Sequence, residues 1–414
     1  MRLKVDLALK NCSQLLTLRA STPKKRAELK DLGIICDGTV GIKDGKIVAV
    51  GKASELKLDS KKEIDCSNKL VLPGFVDCHT HLVFAGSREK ELELKLQGKS
   101  YIEILEAGYG IHSTVRATRR ASAEELKTLA VSRLWKMLTN GTTTLEVKSG
   151  YGLDLKNELK CLRVIRELQK LSPINIVPTF LVHAVPLEYK DRSEEYVQLI
   201  INKLLPEVVV GELAEFCDVF LERGAFSLAQ ARNILKAGKN LGVAPKLHAD
   251  EFNDLNGAEL AAQLDCVSAD HLLKSNEKGI RELAKKDIIG VLLPGSSFTN
   301  FLDYANARKY IELGLPIALA TDFNPNCWID SLGFVIALAC YKMKMLPSEA
   351  IASSTINAAF AIGKEKVIGS LEAGKKADIL VMSADNYNSI PYRLGSNIIE
   401  KVIKSGKVVF ESSK

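Results

Sequence analysis

Six histidines occur in the 414 residues: His79, His81, His112, His183, His248 and His271. All but His112 fall at or just past the C-terminal end of an apolar, strand-like run. His79-Thr80-His81 is the sharpest pair, because residues i and i+2 of a strand project to the same face. Divalent ions such as zinc take imidazole nitrogen at ~2.0–2.1 Å, so the pair offers two ligands. Taken alone, it reads equally well as two imidazoles bonded to backbone carbonyls. His248 closes the run Lys246-Leu247-His248, His271 closes Ala269-Asp270-His271, and Asp322 closes Ala320-Thr321-Asp322. Each alone is more often a core polar residue or a loop cap than a ligand. Three or four nitrogens and one carboxylate at equivalent strand ends are a far more specific pattern, and the chemistry they point to is metal-assisted activation of water.

Such convergence requires a scaffold that brings many strand ends to one face. Eight apolar runs, at 70–77, 142–148, 175–183, 217–222, 244–248, 266–271, 288–294 and 316–322, alternate with amphipathic helical stretches. One of these, 122–138, opens with a Ser122/Glu125 capping box. Eight such units predict an α/β fold, a (β/α)8 TIM barrel over 71–369, whose functional groups gather at the C-terminal strand ends. The flanks read as β. Leu3, Val5, Leu7 and Leu9 alternate with more polar residues, and Asp44-Gly45 and Ser405-Gly406 each separate two apolar runs as hairpin turns do. Segments 1–70 and 370–414 are small for two domains and are expected to meet as one discontinuous β-sandwich.

Composition narrows the function classes. A hydrophobic fraction of 46% with 26% charged residues excludes disordered, collagen-like and coiled-coil chains. No apolar run is long enough to span a bilayer. The net charge of +7 is spread along the chain without a basic block, so neither nucleic acid nor a membrane is an expected partner. Nine cysteines without a CxxC pair read as reduced thiols, and the N-terminus lacks a signal-peptide layout. Both features lead to the expectation of a cytoplasmic protein.

The run Leu72-Pro73-Gly74-Phe75-Val76-Asp77-Cys78-His79-Thr80-His81, the later strand-end histidines and aspartate, and Gly369-Ser370-Leu371-Glu372-Ala373-Gly374-Lys375-Lys376-Ala377-Asp378 resemble the amidohydrolase superfamily. Further segments resemble its imidazolonepropionase family: Val83-Phe84-Ala85-Gly86-Ser87-Arg88, Gly98-Lys99-Ser100-Tyr101, Glu146-Val147-Lys148-Ser149-Gly150-Tyr151-Gly152-Leu153, His248-Ala249-Asp250-Glu251-Phe252 and Thr321-Asp322-Phe323-Asn324-Pro325. The resemblance implies hydrolysis of the cyclic amide C–N bond of 4-imidazolone-5-propanoate to N-formimino-L-glutamate in histidine degradation, one bound zinc or iron ion, and a homodimer.

Under that resemblance the metal is held by His79, His81, His248 and Asp322. Asp322 also takes the proton of the attacking water, and His271 faces the oxygen that becomes negative. A two-metal site needs a bridging ligand, often a carboxylated lysine on the fourth strand. Run 217–222 ends without one, and Lys148 lies on the second strand, so one metal is expected. Arg88 is assigned to the propionate by a bidentate pair, against the bland reading of a solvated surface arginine. Tyr101, Tyr151 and His183 are assigned to the ring and carboxylate, otherwise packing residues. Glu251 is a catalytic or ring N–H-accepting carboxylate, otherwise a helix-start acid. Asn324, Asn326 and Cys327 are further contacts, although Asn326-Cys327 stands where the family has Gly followed by Ser or Thr. His112 is given a structural role. Two other readings share much of this pattern: a mononuclear deaminase of a purine- or pyrimidine-like ring, which Arg88 disfavours, and a non-catalytic amidohydrolase-like assembly protein, which the intact ligand set disfavours.

Overall fold

Period-two alternation makes strands of both chain ends, and the strands meet in space. The computed structural model describes residues 2–99, 103–104 and 107–413. The first strands are β1 (Leu3–Cys12), β2 (Gln14–Leu16), β3 (Ile34–Ile35), β4 (Gly38–Lys43), β5 (Lys46–Lys52), β6 (Leu58–Asp65) and β7 (Leu70–Pro73). The barrel strands follow as β8 (Phe75–Asp77), β9 (Thr142–Lys148), β10 (Asn175–Val182), β11 (Phe216–Leu221), β12 (Ala244–Ala249), β13 (Ser268–His271), β14 (Ile289–Leu292) and β15 (Ile317–Leu319). The chain ends with β16 (Ile379–Met382), β17 (Ile399–Lys404) and β18 (Lys407–Glu411).

A four-stranded sheet of order β5-β4-β1-β6 and a six-stranded sheet of order β18-β17-β16-β7-β2-β3 form the small β part. Leu7, Leu9, Val40 and Ile42 of the first pack with Leu15, Val71, Ile379 and Ile403 of the second in one buried cluster. Both hairpin turns form as the spacing predicts. Asp44 and Gly45 have φ of 51° and 75°, and Ser405 and Gly406 have 46° and 76°, the paired left-handed residues of a two-residue turn. The turns touch: a Cβ on Gly45 would lie 3.0 Å from Ser405 O, and one on Gly406 3.3 Å from Gly45 Cα.

β8 to β15 form an eight-stranded parallel sheet in sequential order. Its two ends are joined just beyond the strands, where Asp322 N donates to His79 O (3.1 Å) and His81 N donates to Phe323 O (2.8 Å). The fold is the expected (β/α)8 barrel. One expectation changes. The run 70–77 is two strands rather than one, split at Gly74 between the small sheet and the barrel. Glycine is required there, because a Cβ would lie 2.2 Å from Thr143 Oγ1. Val76, Val177, Phe216, Ile289, Val291 and Ala318 fill the barrel near the strand starts. The helix Ala123–Thr139 carries the expected capping box, with Glu125 N donating to Ser122 Oγ and Ser122 N to Glu125. No helix among the described residues is long and apolar enough to cross a membrane.

Candidate active site and metal centre

The strand-end histidines converge. His79 Nε2 lies 3.2 Å from His81 Nε2, and Asp322 Oδ1 lies 3.3 Å from His81 Nε2 and 3.6 Å from His79 Nε2. Two donors bound at ~2.1 Å with a tetrahedral angle between them stand ~3.4 Å apart, so these separations suit one shared divalent ion. His248 completes the set: its ring centroid is 4.5 Å from that of His79, and His79, His81 and His248 each offer a donor within 4.8 Å of the others. His79, His81, His248 and Asp322 are at most 3% exposed.

The outer edges of two of these rings are turned to carboxylates. Asp270 Oδ2 is 2.6 Å from His79 Nδ1. Asp218 Oδ2 is 2.9 Å from His248 Nδ1, off the angle of a hydrogen bond, while Asp218 Oδ1 accepts from His248 N at 3.1 Å. A carboxylate behind each ring leaves Nε2 as the metal-facing atom. Burial pushes the pKa of the His79, His183 and His248 imidazoles well below the ordinary value, which keeps them neutral and able to ligate. Burial raises the Asp322 carboxyl, but the His81 hydrogen bond and the neighbouring imidazoles outweigh it and bring the pKa down to about 2. The residues present therefore fit a single divalent metal.

His271 and Asp322 both have left-handed backbone, φ 75° and 52°, a region sparse outside glycine that His and Asp enter more readily than most residues. The strain lies where the strands leave the barrel and turns both side chains toward the site. His271 Nε2 lies 3.6 Å from Glu251 Oε2. Burial first, then the charges of Asp322 and Glu222, push Glu251 well above the usual carboxylate range. Burial thus disfavours its charged form beside the His271 ring.

These groups open on a cavity of about 340 Å³ lined by His81, Arg88, Tyr151, His183, His248, Glu251, His271 and Asp322, together with Asn324 and Asn326. The rings of His81, Tyr151 and His183 form one wall, with centroids 5.3–6.1 Å apart. Arg88 reaches the cavity but is not free. Its Nε and Nη2 donate to Glu91 at 2.7 and 2.6 Å, so only the remaining Nη edge is open to an anion. Asn324 shapes its own turn, with Oδ1 accepting from the backbone N of Asn326 and Cys327 at 2.8 and 3.0 Å. The Asn326 side chain bonds Lys95 Nζ (2.7 Å) and Asn300 (2.6 Å).

Two site expectations change. Cys327 is fully buried with Sγ toward Thr321 O and lies off the cavity wall, because the Asn324 turn folds it under the loop. His112 does line the cavity, since it begins the helix Ile111–Arg120 at its rim. Tyr101 lies outside the described residues. Sequence reasoning missed Asp218 and Asp270 as partners of the histidines. The available signal was a buried-strand carboxylate: Asp218 within the apolar run of β11 and Asp270 directly before His271 on β13.

The profile of the Amidohydrolase family matches residues 70–409. The imidazolonepropionase of Geobacillus kaustophilus is 49% identical over 418 aligned positions, covering 99% of each chain, and that of Alkaliphilus oremlandii is 47% identical with the same coverage. Among solved structures, Escherichia coli guanine deaminase superposes with a TM-score of 0.73 at 16% identity, over 98% of this chain and 99% of that one. An adenosine deaminase from Xanthomonas campestris with bound zinc gives 0.72 at 16% identity, over 99% and 93%. At that identity the two deaminases are evidence of a shared fold only.

Proposed function

The chain belongs to the imidazolonepropionase family of amidohydrolases, and on that premise we propose how its residues divide the reaction. The reaction is hydrolysis of the ring amide of 4-imidazolone-5-propanoate to N-formimino-L-glutamate, a step of histidine degradation. The observation that carries the division of labour is the convergence of His79 Nε2, His81 Nε2 and Asp322 Oδ1 on the wall of a cavity that also exposes one edge of Arg88.

His79, His81, His248 and Asp322 hold one divalent ion, zinc or iron. When bound, that ion supplies Lewis acidity that brings the pKa of a water toward about 7. Asp322 is ionised throughout the neutral range and accepts the water proton during attack on the ring carbonyl. His271, neutral and fixed by its strained turn, donates to the carbonyl oxygen as it gains charge. The amide C–N bond then breaks, and the departing ring nitrogen needs a proton. Asp322 returns the one it took, and Glu251 hydrogen-bonds a ring nitrogen. Arg88 anchors the propionate through its open edge, with Glu91 holding the guanidinium in place. Tyr151 and His183 flank the ring, and burial keeps the Tyr151 phenol protonated as a donor.

The direct test is incubation of the zinc- or iron-loaded protein with freshly prepared 4-imidazolone-5-propanoate, following loss of its ultraviolet absorbance. Turnover with formation of N-formimino-L-glutamate is the expected result. Deamination of guanine or adenosine with no action on the imidazolone would sink the reading.

A further inference from the structure

Strand periodicity places a second layer of side chains beneath the histidines. On β12, Lys246 and His248 share one face, and on β9, Glu146 and Lys148 do so. β11 and β13 add Asp218 and Asp270. Glu146, Lys148, Asp218, Lys246 and Asp270 are all fully buried. Charges so deep survive only when paired and bonded.

The pairing is not symmetrical. Lys148 Nζ donates to Asp218 Oδ2 at 2.7 Å and lies 3.2 Å from both Asp270 Oδ2 and Glu146 Oε2. An ammonium has three protons, and these are three acceptors. The two aspartate oxygens are the same atoms that stand 2.6 Å from His79 Nδ1 and 2.9 Å from His248 Nδ1. Lys246, equally buried, bonds Glu146 Oε2 (2.7 Å) and Cys78 O (3.5 Å) and has no bond to either aspartate among the described residues.

We propose that Lys148 is a positioning residue for the metal centre: its single ammonium holds Asp218 and Asp270 together and thereby aims His248 and His79 at a common point. Asp218, His248 and Asp270 would otherwise make a plausible second ligand group. With the ammonium against both carboxylates, a cation of the chain itself already occupies the position between them and offsets part of their charge. The outer face of the site is thus completed by a lysine, and the cavity face is left for the one ion. Burial opposes the charged form of Lys148, but Asp218, Glu146 and Asp270 outweigh it and push its pKa up, so the ammonium persists at every working pH.

The inference rests on the metal assignment above, and the experiment separates the two. Full-length protein is stripped, and zinc affinity is measured by chelator competition beside a thermal melt. Wild type that binds no zinc stoichiometrically would remove the metal assignment itself. Two double variants that lower the buried charge by one lysine and one carboxylate are then compared: Lys148→Met with Glu146→Gln, and Lys246→Met with Glu146→Gln. Each leaves one lysine in the layer, with Asp218 and Asp270 as its only carboxylates. The Lys148 pair is expected to bind zinc roughly 10- to 100-fold more weakly than wild type, the loss typical when a ligand's outer partner is removed, and the Lys246 pair within about threefold. Equal losses in both pairs, or none in the Lys148 pair, would overturn the proposal. A Lys148 pair that fails to fold where the Lys246 pair folds would also overturn it, by assigning the lysine to barrel stability alone.

Discussion

The two sides of the histidine cluster handle buried polar groups in opposite ways. Beneath the rings, Glu146, Lys148, Asp218, Lys246 and Asp270 sit in regular strands, and every charge meets an opposite charge within 3.2 Å. Around the cavity, His81 Nδ1, His183 Nδ1 and His271 Nδ1 are buried without a hydrogen-bond partner among the described residues, and His271 and Asp322 have left-handed backbone. A buried polar atom without a partner costs about 1–3 kcal/mol, so a fold tolerates several together only where something else uses them. The five charges of the supporting face are paired within ordinary strands, while His248 Nδ1 above Asp218 lacks a well-angled hydrogen bond among the described residues. The reacting face retains bonding capacity and strain, as a site does that must bind a metal and a substrate.

The first way to break this contrast is to remove a group that belongs to both faces. His248 carries an aspartate behind it and faces the metal position. His248→Ala should remain folded, lose stoichiometric metal and lose turnover by roughly ten-thousand-fold or more. Metal analysis with steady-state rates checks this, and normal turnover would end the metal assignment.

His271 belongs to the reacting face alone. His271→Ala should keep its metal and lose kcat by about a hundred- to a thousand-fold, the cost of one oxyanion donor. Metal loss matching that of His248→Ala would move His271 into the ligand set.

Arg88 bridges saturated and open behaviour within one side chain. Arg88→Ala should cost about 2–5 kcal/mol in kcat/KM for the native substrate. On an imidazolone lacking the carboxylate, wild type and variant should be equally poor. Glu91→Gln should raise KM less than Arg88→Ala does, since it loosens the guanidinium without removing it. An unchanged KM in both would return Arg88 to the surface.

The smallest expected effect concerns pH and stability. Glu251 has a folded-state pKa raised by burial above its unfolded value of about 4.3. It binds a proton in the folded state that the unfolded chain has released. Its contribution is therefore complete below about pH 4 and is lost as pH rises toward the folded value. Metal-free wild type should lose melting temperature over that range relative to Glu251→Gln, which cannot ionise. Parallel melting curves would show that Glu251 is charged in the fold.

The sequence alone determined the barrel, the two hairpins of the small β part, the capped helix at Ser122 and the set His79, His81, His248, His271 and Asp322. These are legible because periodicity, turn residues and strand-end placement are local, and a parallel barrel turns strand ends into neighbours by its topology alone. The tertiary structure decided what no local pattern encodes. The run 70–77 divides between two sheets at Gly74, which passes against Thr143 of the neighbouring strand β9, a contact between segments far apart in the chain. Cys327 turns inward because Asn324 closes a tight loop, and half of the Arg88 fork is taken by Glu91, a residue that is 1% exposed. The layer of Glu146, Lys148, Asp218, Lys246 and Asp270 reads in the sequence only as isolated charges inside apolar strands. Which oxygen faces which nitrogen depends on the stagger of β9, β11, β12 and β13 around a closed barrel, and stagger is set by packing among strands far apart in the chain.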